Sequence, residues 1–466
     1  MLFSDPVFFA FFAVYFCCHL AVPQRFRIYL IIVGGLFFYQ YWKPVYVWLP
    51  LFLIAISYFG AAFVDAAENP TSRKRRLIFV LAGLVAPLIF FKYTNFLYAN
   101  FVAAFSGAHE PIVDVSLPLG ISFITFTLIA YVVDIFKRTY THEDRVSSVA
   151  SYVLFFPHLI AGPILRPGDL IPQLKNPRSA FAFRPIYGVF IFVVGLVKKL
   201  VFADQIGVAV DRVYAAPHAV QSSLEILIAL YGFAVQIYCD FSGYTDMAIG
   251  LALLLGVKLP NNFNQPYLAA SVADFWRRWH ITLSHWLRDY IYIPLGGNRD
   301  GYGRQALYIM ATMGLGGLWH GANWTFVVWG LLHGTGIVFS HLWRRIVPAG
   351  RTWTTPRALK IFVTFHFVVI AWVFFRAPDL TTARDIFAGL MQANWQWSGD
   401  ELMRNAFVIV LIVGFFMLHR IDRQSYIRYL CARSSALVLW PIVIGLSAIA
   451  IALSAGSSAK FIYFDF

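Results

Sequence analysis

Apolar residues fall in long blocks along almost the whole chain, and short polar, basic or Pro/Gly-containing breaks separate the blocks. A helix needs about 20 apolar residues to cross a bilayer, and several of the blocks are shorter or broken. The pattern predicts an all-α polytopic integral membrane protein of about 11 spans, with further re-entrant and interfacial helices. The apolar segments lie near 6–22, 28–42, 45–66, 77–105, 117–136, 148–164, 186–210, 224–256, 306–319, 321–343, 359–376, 405–420 and 436–455.

One of these runs carries a histidine. Residues 314–340 contain no Lys, Arg, Asp or Glu but include His320, with Trp319 and Asn323 beside it. The run is long enough to cross a bilayer, so we expect His320 at membrane depth. Ionisable groups at that depth are costly and usually mark a pathway or a reaction site. The ordinary alternative is a neutral histidine that bonds to a backbone carbonyl of a neighbouring helix.

Composition agrees with a membrane protein. Hydrophobic residues make up 59% of the 466 residues and charged residues 13%, against about 45–50% and 25% in soluble domains. No stretch of domain size reads as soluble, so we predict a single membrane domain over residues 1–466. The four cysteines lack metal-ligand spacing, and no metal site is predicted.

The formal net charge of +14 suggests contact with lipid, not with nucleic acid. Much of the Lys and Arg lies in short loops, where it sets orientation and contacts anionic headgroups. The basic loops at 24–27, 73–76 and 137–138 are predicted to be cytoplasmic. That orientation places the N-terminus and the loop at Lys43 outside, together with the acidic loop 106–116.

A stretch rich in proline and glycine, residues 155–173, is unlike a continuous spanning helix. Irregular backbone in a membrane protein must be buried in protein or line a wet cavity. We therefore expect either a re-entrant loop at the mouth of a cavity or a cytoplasmic surface loop.

Residues 273–294 read as one amphipathic helix lying at the membrane interface. Arginines and other polar groups would face headgroups or water, and aromatic residues would face inward. His280 lies on the aromatic side, either as a functional group or as an incidental part of an anchor. The aromatic face consists of Trp276, Trp279, His280, Leu283, Trp286, Leu287 and Tyr290, and the polar face of Arg277, Arg278, His285, Arg288 and Asp289.

Two carboxylates, Asp240 and Asp246, lie six residues apart in an otherwise apolar segment. A buried carboxylate needs a partner, because its ionised form is otherwise very costly. They are expected to pair with arginine as structural support, or to hold a catalytic histidine.

Two histidines 40 residues apart, two intramembrane carboxylates, clustered arginines and a Pro/Gly-broken loop resemble the parts of a catalytic cavity. A histidine base in a dry chamber can activate a hydroxyl for attack on an acyl group. The same residues suit a proton relay in a transporter, and residue chemistry alone leaves both open. The chain has no G-x-S-x-G elbow, Walker A loop or H-E-x-x-H helix. The glycines at 314, 316 and 317 are expected to allow close helix packing.

Several long motifs resemble those of the membrane-bound O-acyltransferases, and more narrowly the bacterial alginate O-acetyltransferase branch. The motifs run from one end of the chain to the other and are rich in Trp, His and Arg, so chance agreement is negligible. They are WRRWHITLS from Trp276, RDYIYIPLGGNR from Arg288 to Arg299, GLWHGANW from Gly317, PLGISF from Pro118, FPHLIAGP from Phe156, DFSGYTDMAIG from Asp240 and FIYFDF from Phe461.

The resemblance implies a helical bundle around a central tunnel, with His320 as the central catalytic residue and His280 as its second histidine. It implies transfer of acetyl groups from a cytosolic donor, acetyl-CoA or an acetyl carrier, with no tightly bound cofactor. The acceptor would be an exported polysaccharide of the alginate or cellulose type. The implied location is the bacterial inner membrane, with periplasmic acetyltransferase partner proteins and a polysaccharide synthesis and export complex. Asp465 stands where Gln is common, which weakens inference about the particular glycan.

Roles for the individual residues follow as hypotheses. His320 would deprotonate the accepting hydroxyl, with a transient acetyl-histidine as a variant, and His280 would orient the donor or stabilise the oxyanion. Rival functions are a proton-coupled exporter of a glycan or acyl unit and a non-catalytic scaffold. Further candidates for donor binding or support are Arg277, Arg278 and Arg299, for which lipid anchoring is the equal alternative, and Trp276, Trp319, Asn323, Asp240 and Asp246. His333 is expected to be structural.

Overall fold

A computed structural model describes residues 1–103, 116–176, 184–220, 222–347, 355–396, 398–454, 459 and 461–462. Within these ranges the chain forms helices and no strand, as the apolar pattern predicts. Most of the predicted external loop 106–116 and the end of the FIYFDF motif, with Asp465, lie outside the described residues.

The chain forms two compact units. The first comprises residues 1–192 and 248–260, and the second comprises residues 193–247 and 261–466. Helices of the first unit are α1 (Pro6–Ala21), α2 (Arg27–Gln40), α3 (Trp48–Asp65), α4 (Pro70–Leu88), α5 (Thr94–Ala103), α6 (Ile121–Phe136), α7 (Val146–Leu154), α8 (Phe156–Leu159), α9 (Pro167–Lys175) and most of α10 (Pro185–Val197). A π-helical turn, Ile89–Tyr93, joins α4 to α5.

The second unit carries the remaining helices, and α12 also contributes its last residues to the first unit. Two further π-helical turns, Lys198–Ala203 and Arg288–Tyr292, join α10 to α11 and α14 to α15. The helices are α11 (Asp204–Ala215), α12 (Ser223–Leu254), α13 (Val272–Trp276), α14 (Ile281–Leu287), α15 (Ile293–Leu295), α16 (Tyr302–His320), α17 (Trp324–Ile346), α18 (Arg357–Arg376), α19 (Leu380–Met391), α20 (Gly399–Leu418), α21 (Gln424–Arg433) and α22 (Ala436–Leu453).

Eight helical stretches among the described residues are long and apolar enough to cross a membrane, which makes this a multi-pass membrane protein. The expected number was about 11; segments such as 28–42 and 148–164 form helices of only 14 and 9 residues. The stretches are Pro44–Asp65, Pro70–Val102, Pro185–Ala215, Ser223–Leu254, Trp324–Ile346, Arg357–Arg376, Gly399–Leu418 and Ala436–Leu453, with shorter apolar helices at Pro6–Ala21 and Ile121–Phe136.

The proline-rich segment of the first unit is buried irregular backbone. Residues 155–165 are all buried, and only the short helix α8 interrupts their irregular course. The Tyr152 hydroxyl donates a 2.7 Å hydrogen bond to the Leu165 carbonyl, which ties the end of this segment back to α7. The prediction that no continuous helix forms here is confirmed. The alternative of a surface loop is wrong for residues 155–165, because protein covers them. The rest of the predicted stretch lies mostly in α9, where Gly168, Asp169 and Pro172 are exposed.

The uncharged run 314–340 is divided between two helices, in agreement with the separate apolar segments 306–319 and 321–343. Helix α16 ends at His320, the backbone is extended at Gly321, and α17 begins at Trp324. The two helices lie against each other at glycines: a Cβ on Gly330 would lie 2.3 Å from the Met313 carbonyl oxygen. Close packing was predicted at Gly314, Gly316 and Gly317. It is confirmed at Gly317, where a Cβ would lie 3.3 Å from the Gly330 Cα, but not at Gly314, where a Cβ would meet only the Leu331 side chain at 3.5 Å.

Candidate functional site

His320 lies at the C-terminal end of α16, and only 3% of its surface is exposed. The turn after it is fixed by Asn323, whose side-chain oxygen accepts a 3.0 Å bond from the Thr325 N–H at the start of α17. The Asn323 side-chain amide also donates a 2.6 Å bond to the Pro378 carbonyl. Asn323 therefore shapes the turn that follows His320.

Aromatic rings form the walls around His320. Its ring centroid lies 4.9 Å from that of Trp319, 5.0 Å from Trp329 and 5.2 Å from Phe375, all at steep interplanar angles. Such edge-to-face contacts fix the plane of the imidazole and keep bulk water away from it.

His280 adopts a left-handed backbone conformation, with φ of 42° and ψ of 57°. This conformation costs a non-glycine residue on the order of 1–3 kcal/mol and concentrates at functional sites. The helix predicted over 273–294 is therefore wrong in its continuity: it breaks here into α13 and α14. Its predicted faces are correct, since Trp276, Trp279 and Leu283 are buried while Arg277 is exposed.

A distant asparagine holds this break in place. The Asn262 carbonyl accepts a 3.0 Å bond from the Ile281 N–H. The Asn262 side-chain oxygen accepts bonds from the Thr282 N–H at 3.1 Å and the Thr282 hydroxyl at 3.0 Å. These three bonds fix the first turn of α14 and offset the backbone strain at His280.

The structure brings the two predicted histidines into one cluster, with Trp319 between them. The His280 centroid lies 6.2 Å from Trp319, which in turn lies 4.9 Å from His320. The His280 ring also lies 4.6 Å from the Phe241 ring, at an interplanar angle of 88°. His280 lies outside the eight spans but is fully buried, and this burial lowers its pKa to about 3, so the imidazole is neutral at physiological pH.

The cluster continues to Trp276 and His333. The Trp276 indole N–H donates a 3.2 Å bond to Nδ1 of His333, and the His333 ring lies 4.9 Å from Trp329. His333 is thus a hydrogen-bonded core residue, in agreement with its expected structural role. Trp329 was not singled out from the sequence, although its i,i+4 spacing to His333 on α17 was a usable signal.

Asp240 and Asp246 are paired with lysines, so the expectation of arginine partners is wrong. Lys199 bridges Asp240 at 2.9 Å and Asp204 at 2.8 Å. Lys198 bridges Asp246 at 2.8 Å and Asp422 at 2.7 Å. Both lysines come from the π-helical turn Lys198–Ala203. These contacts favour structural support over a hydrogen bond to a catalytic histidine.

The three arginine candidates bind mainly to groups of their own segments, and Arg278 also donates a 3.4 Å bond to the Asn264 carbonyl. Arg277 and Arg278 both pair with Asp274, at 3.2 and 3.1 Å. Burial alone would raise the pKa of Asp274, but hydrogen bonds from Arg278 and the Ala270 N–H hold it below the ordinary value. The exposed Arg299 donates to the carbonyls of Gly296 and Ile293, both at 3.1 Å.

Among the described residues no group of three or more His, Cys, Asp or Glu is arranged to hold a metal ion. The arrangement that does stand out is a pair of buried imidazoles that both contact Trp319 and are enclosed by indole and phenyl rings. A neutral, water-shielded imidazole can accept a proton from a hydroxyl, and a second one can donate a hydrogen bond to a developing oxyanion.

Comparison with known proteins agrees with this chemistry. The sequence model of MBOAT, the membrane-bound O-acyltransferase family, matches residues 145–377, which include both histidines. The peptidoglycan O-acetyltransferase of Helicobacter pylori is 37% identical over 430 residues, covering 84% of this chain and 80% of that protein. The probable alginate O-acetylase AlgI of Pseudomonas putida is 36% identical over 440 residues, covering 92% and 88%.

A more distant relative transfers a different acyl group. The teichoic acid D-alanyltransferase of Bacillus subtilis is 29% identical over 291 residues, covering 57% of this chain and 70% of that protein. The family match, the two long alignments and the helical membrane fold lead to one conclusion: this chain is an acyltransferase that belongs to the membrane-bound O-acyltransferase family.

Proposed function

We propose that this chain moves acetyl groups from a cytosolic donor across the inner membrane for O-acetylation of an exported polysaccharide. The observation that carries the proposal is the buried cluster of His280, Trp319 and His320. Relatives named for acetylation of alginate and of peptidoglycan support a polysaccharide acceptor.

His320 is the general base of the proposed reaction. It takes the proton of the accepting hydroxyl, of a sugar or of a partner protein's serine, while the oxygen attacks the carbonyl carbon of the donor thioester. The C–S bond then breaks, the acetyl group stays on the oxygen, and the imidazolium returns its proton to the departing thiolate. The position of His320 at a helix C-terminus stabilises the transient imidazolium, because the helix dipole is negative there.

His280 has the complementary role. A neutral imidazole carries one N–H, which can bond to the thioester oxygen as negative charge develops on it. The aromatic walls keep water from competing with the intended hydroxyl for the acetyl group. The left-handed backbone held by Asn262 gives the imidazole one fixed direction.

Acetyl-CoA or an acetyl carrier is the proposed donor substrate. Both present phosphate near the thioester arm, and Arg277 has 59% of its side chain exposed, so it is accessible to such a group. Contact with lipid headgroups is the competing role for Arg277, Arg278 and Arg299. Proposed partners are periplasmic acetyltransferases and the polysaccharide synthesis and export complex, with the N-terminus of this chain periplasmic.

The proposal is tested by deleting the chain from its host and restoring it as wild type or as His320→Ala. Acetyl content of each exported polymer and the amount of polymer secreted are measured side by side. We expect wild type alone to restore acetylation, with secretion equal in both strains. Normal acetylation with His320→Ala contradicts the general-base role. Loss of export with unchanged acetylation of the remaining polymer favours the transporter.

A further inference from the structure

A segment far along the chain is bound to the carboxylates of the lysine cluster. The Ile462 N–H donates a 2.7 Å bond to Asp240, and the Ala459 N–H donates a 3.2 Å bond to Asp204. Both carboxylates are also bound by Lys199. The carboxylates therefore bind Lys199 on one side and the main chain of this segment on the other.

Phe461 lies between these two main-chain contacts and is 1% exposed. Its ring stacks on Tyr244 with centroids 4.8 Å apart and lies 6.0 Å from Phe241. Phe241 is fully buried and meets the His280 imidazole edge-on at 4.6 Å and 88°. A continuous line of ring contacts thus runs from Phe461 through Phe241 to His280.

The residues of α12 that take part are neighbours on the helix. Asp240 and Phe241 are consecutive, and Tyr244 follows four residues after Asp240, so it lies beside Asp240 one turn on. The bond from the Ile462 N–H to Asp240 therefore holds Phe461 beside Phe241, and Phe241 is the ring that contacts His280. A close-packed interior transmits such a constraint, because a displaced ring leaves a void that its neighbours move to fill.

We propose that the segment carrying Ala459, Phe461 and Ile462 is a positioning element of the acyl-transfer site, which fixes the His280 imidazole through Phe241. Phe461 is a positioning residue and does not touch the reacting atoms. The inference rests on the proposed role of His280 in acetyl transfer. Asp204 and Asp240 then anchor the segment in addition to pairing with Lys199.

The test compares Phe461→Ala with the conservative Phe461→Leu and with a matched control, Phe3→Ala. Phe3 is also 1% exposed and lies near the other end of the sequence, where it packs on Phe8 and Phe38. Purified full-length proteins are assayed for kcat and KM of acetyl transfer. The rate of His280 modification by diethyl pyrocarbonate is read by mass spectrometry, which reports on geometry and needs no activity.

Small displacements of a catalytic group reduce rate by up to about 100-fold, so we expect Phe461→Ala to lower kcat about 10- to 100-fold with little change in KM. His280 labelling should rise several-fold in the same protein. Phe461→Leu should recover most of the activity, and Phe3→Ala should leave His280 labelling at the wild-type rate. A second variant, Ile462→Pro, removes the N–H that binds Asp240 but keeps the Phe461 ring, and it should shift both readouts in the same direction.

Wild-type kcat and His280 labelling in both Phe461→Ala and Ile462→Pro would overturn the proposal. Equal labelling of His280 in Phe461→Ala and Phe3→Ala would also overturn it, because the segment would then stabilise the fold without positioning His280. If Phe461→Ala cannot be purified, Ile462→Pro decides by the same two readouts. Wild-type protein that transfers no acetyl group would refute the proposed function, while the labelling result would still show whether Phe461 positions His280.

Discussion

Gly317 and Gly330 meet where α16 packs against α17, and a Cβ built on Gly317 would lie only 3.3 Å from the Gly330 Cα and 2.2 Å from the Phe326 carbonyl oxygen. Real side chains do not come so close to backbone, so the two helices can lie this near each other only with glycine there. Gly317 is three residues before His320, so the same crossing sets the height and direction of the candidate base.

Gly317→Ala should therefore push α16 away from α17 and displace His320. We expect kcat for acetyl transfer to fall by about 100-fold, the effect of a displacement near 1 Å. Gly314→Ala, on the same helix, is the matched control, because its Cβ would meet the Leu331 side chain at an ordinary 3.5 Å. Activity assays on the two purified variants measure the difference. Equal activities would show that the glycine contact does not position His320.

Lys198 lies between two carboxylates, Asp246 and Asp422, in a largely buried group with one positive and two negative charges. Lys198→Met removes the only cation of that group and leaves two acceptors facing each other. Breaking a buried pair typically costs about 3–5 kcal/mol. Asp246→Asn leaves one lysine with one carboxylate, and losing a charged hydrogen bond costs about 1.5–3 kcal/mol.

Thermal unfolding in mild detergent should rank wild type above Asp246→Asn and Asp246→Asn above Lys198→Met. In both variants the total activity should fall in proportion to the amount of folded protein, as expected of residues that only support the structure. A large activity loss in Asp246→Asn at wild-type thermal stability would instead assign Asp246 to the reaction.

Ionisation of the Asp274 carboxylate makes the free energy of unfolding depend on pH. Although burial opposes its ionisation, Arg278 and the Ala270 N–H hold its pKa below the ordinary 3.8. A lowered folded-state pKa contributes stability that is fully present above pH 3.8 and is lost as the pH falls through the folded-state pKa. Asp274→Asn removes this contribution, so wild type should unfold at a higher temperature than the variant at pH 6, and the two curves should converge below pH 4. A gap that stays constant down to pH 3 would contradict the assignment.

The sequence predicted much of the site because its chemistry is local. The aromatic face of 273–294, the histidine pair and the glycine contacts of α16 all follow from spacing within one segment or from the family motifs. The left-handed backbone of His280 did not follow, because Asn262, 18 residues earlier, creates the break. The lysine partners of Asp240 and Asp246 also lie more than 40 residues away along the chain, and only tertiary contact reveals such pairs. Lys198 and Lys199 in the apolar segment 186–210 were the available signal.

His333 and His320 lie in the same aromatic cluster, each about 5 Å from Trp329, and a single pair of variants separates their roles. His333→Leu leaves the Trp276 N–H buried without its acceptor, which should cost about 1–3 kcal/mol of stability. It should keep kcat near wild type, because the proton transfer does not pass through His333. His320→Ala should do the reverse, with a kcat about 10²–10⁴-fold lower and a thermal midpoint lowered only by the small cavity that it leaves. Melting curves and single-turnover acetyl transfer on both proteins make the comparison. If His333→Leu lowers kcat as much as His320→Ala does, both imidazoles take part in the proton transfer. The ring contacts through Trp329 would then be part of the reaction site.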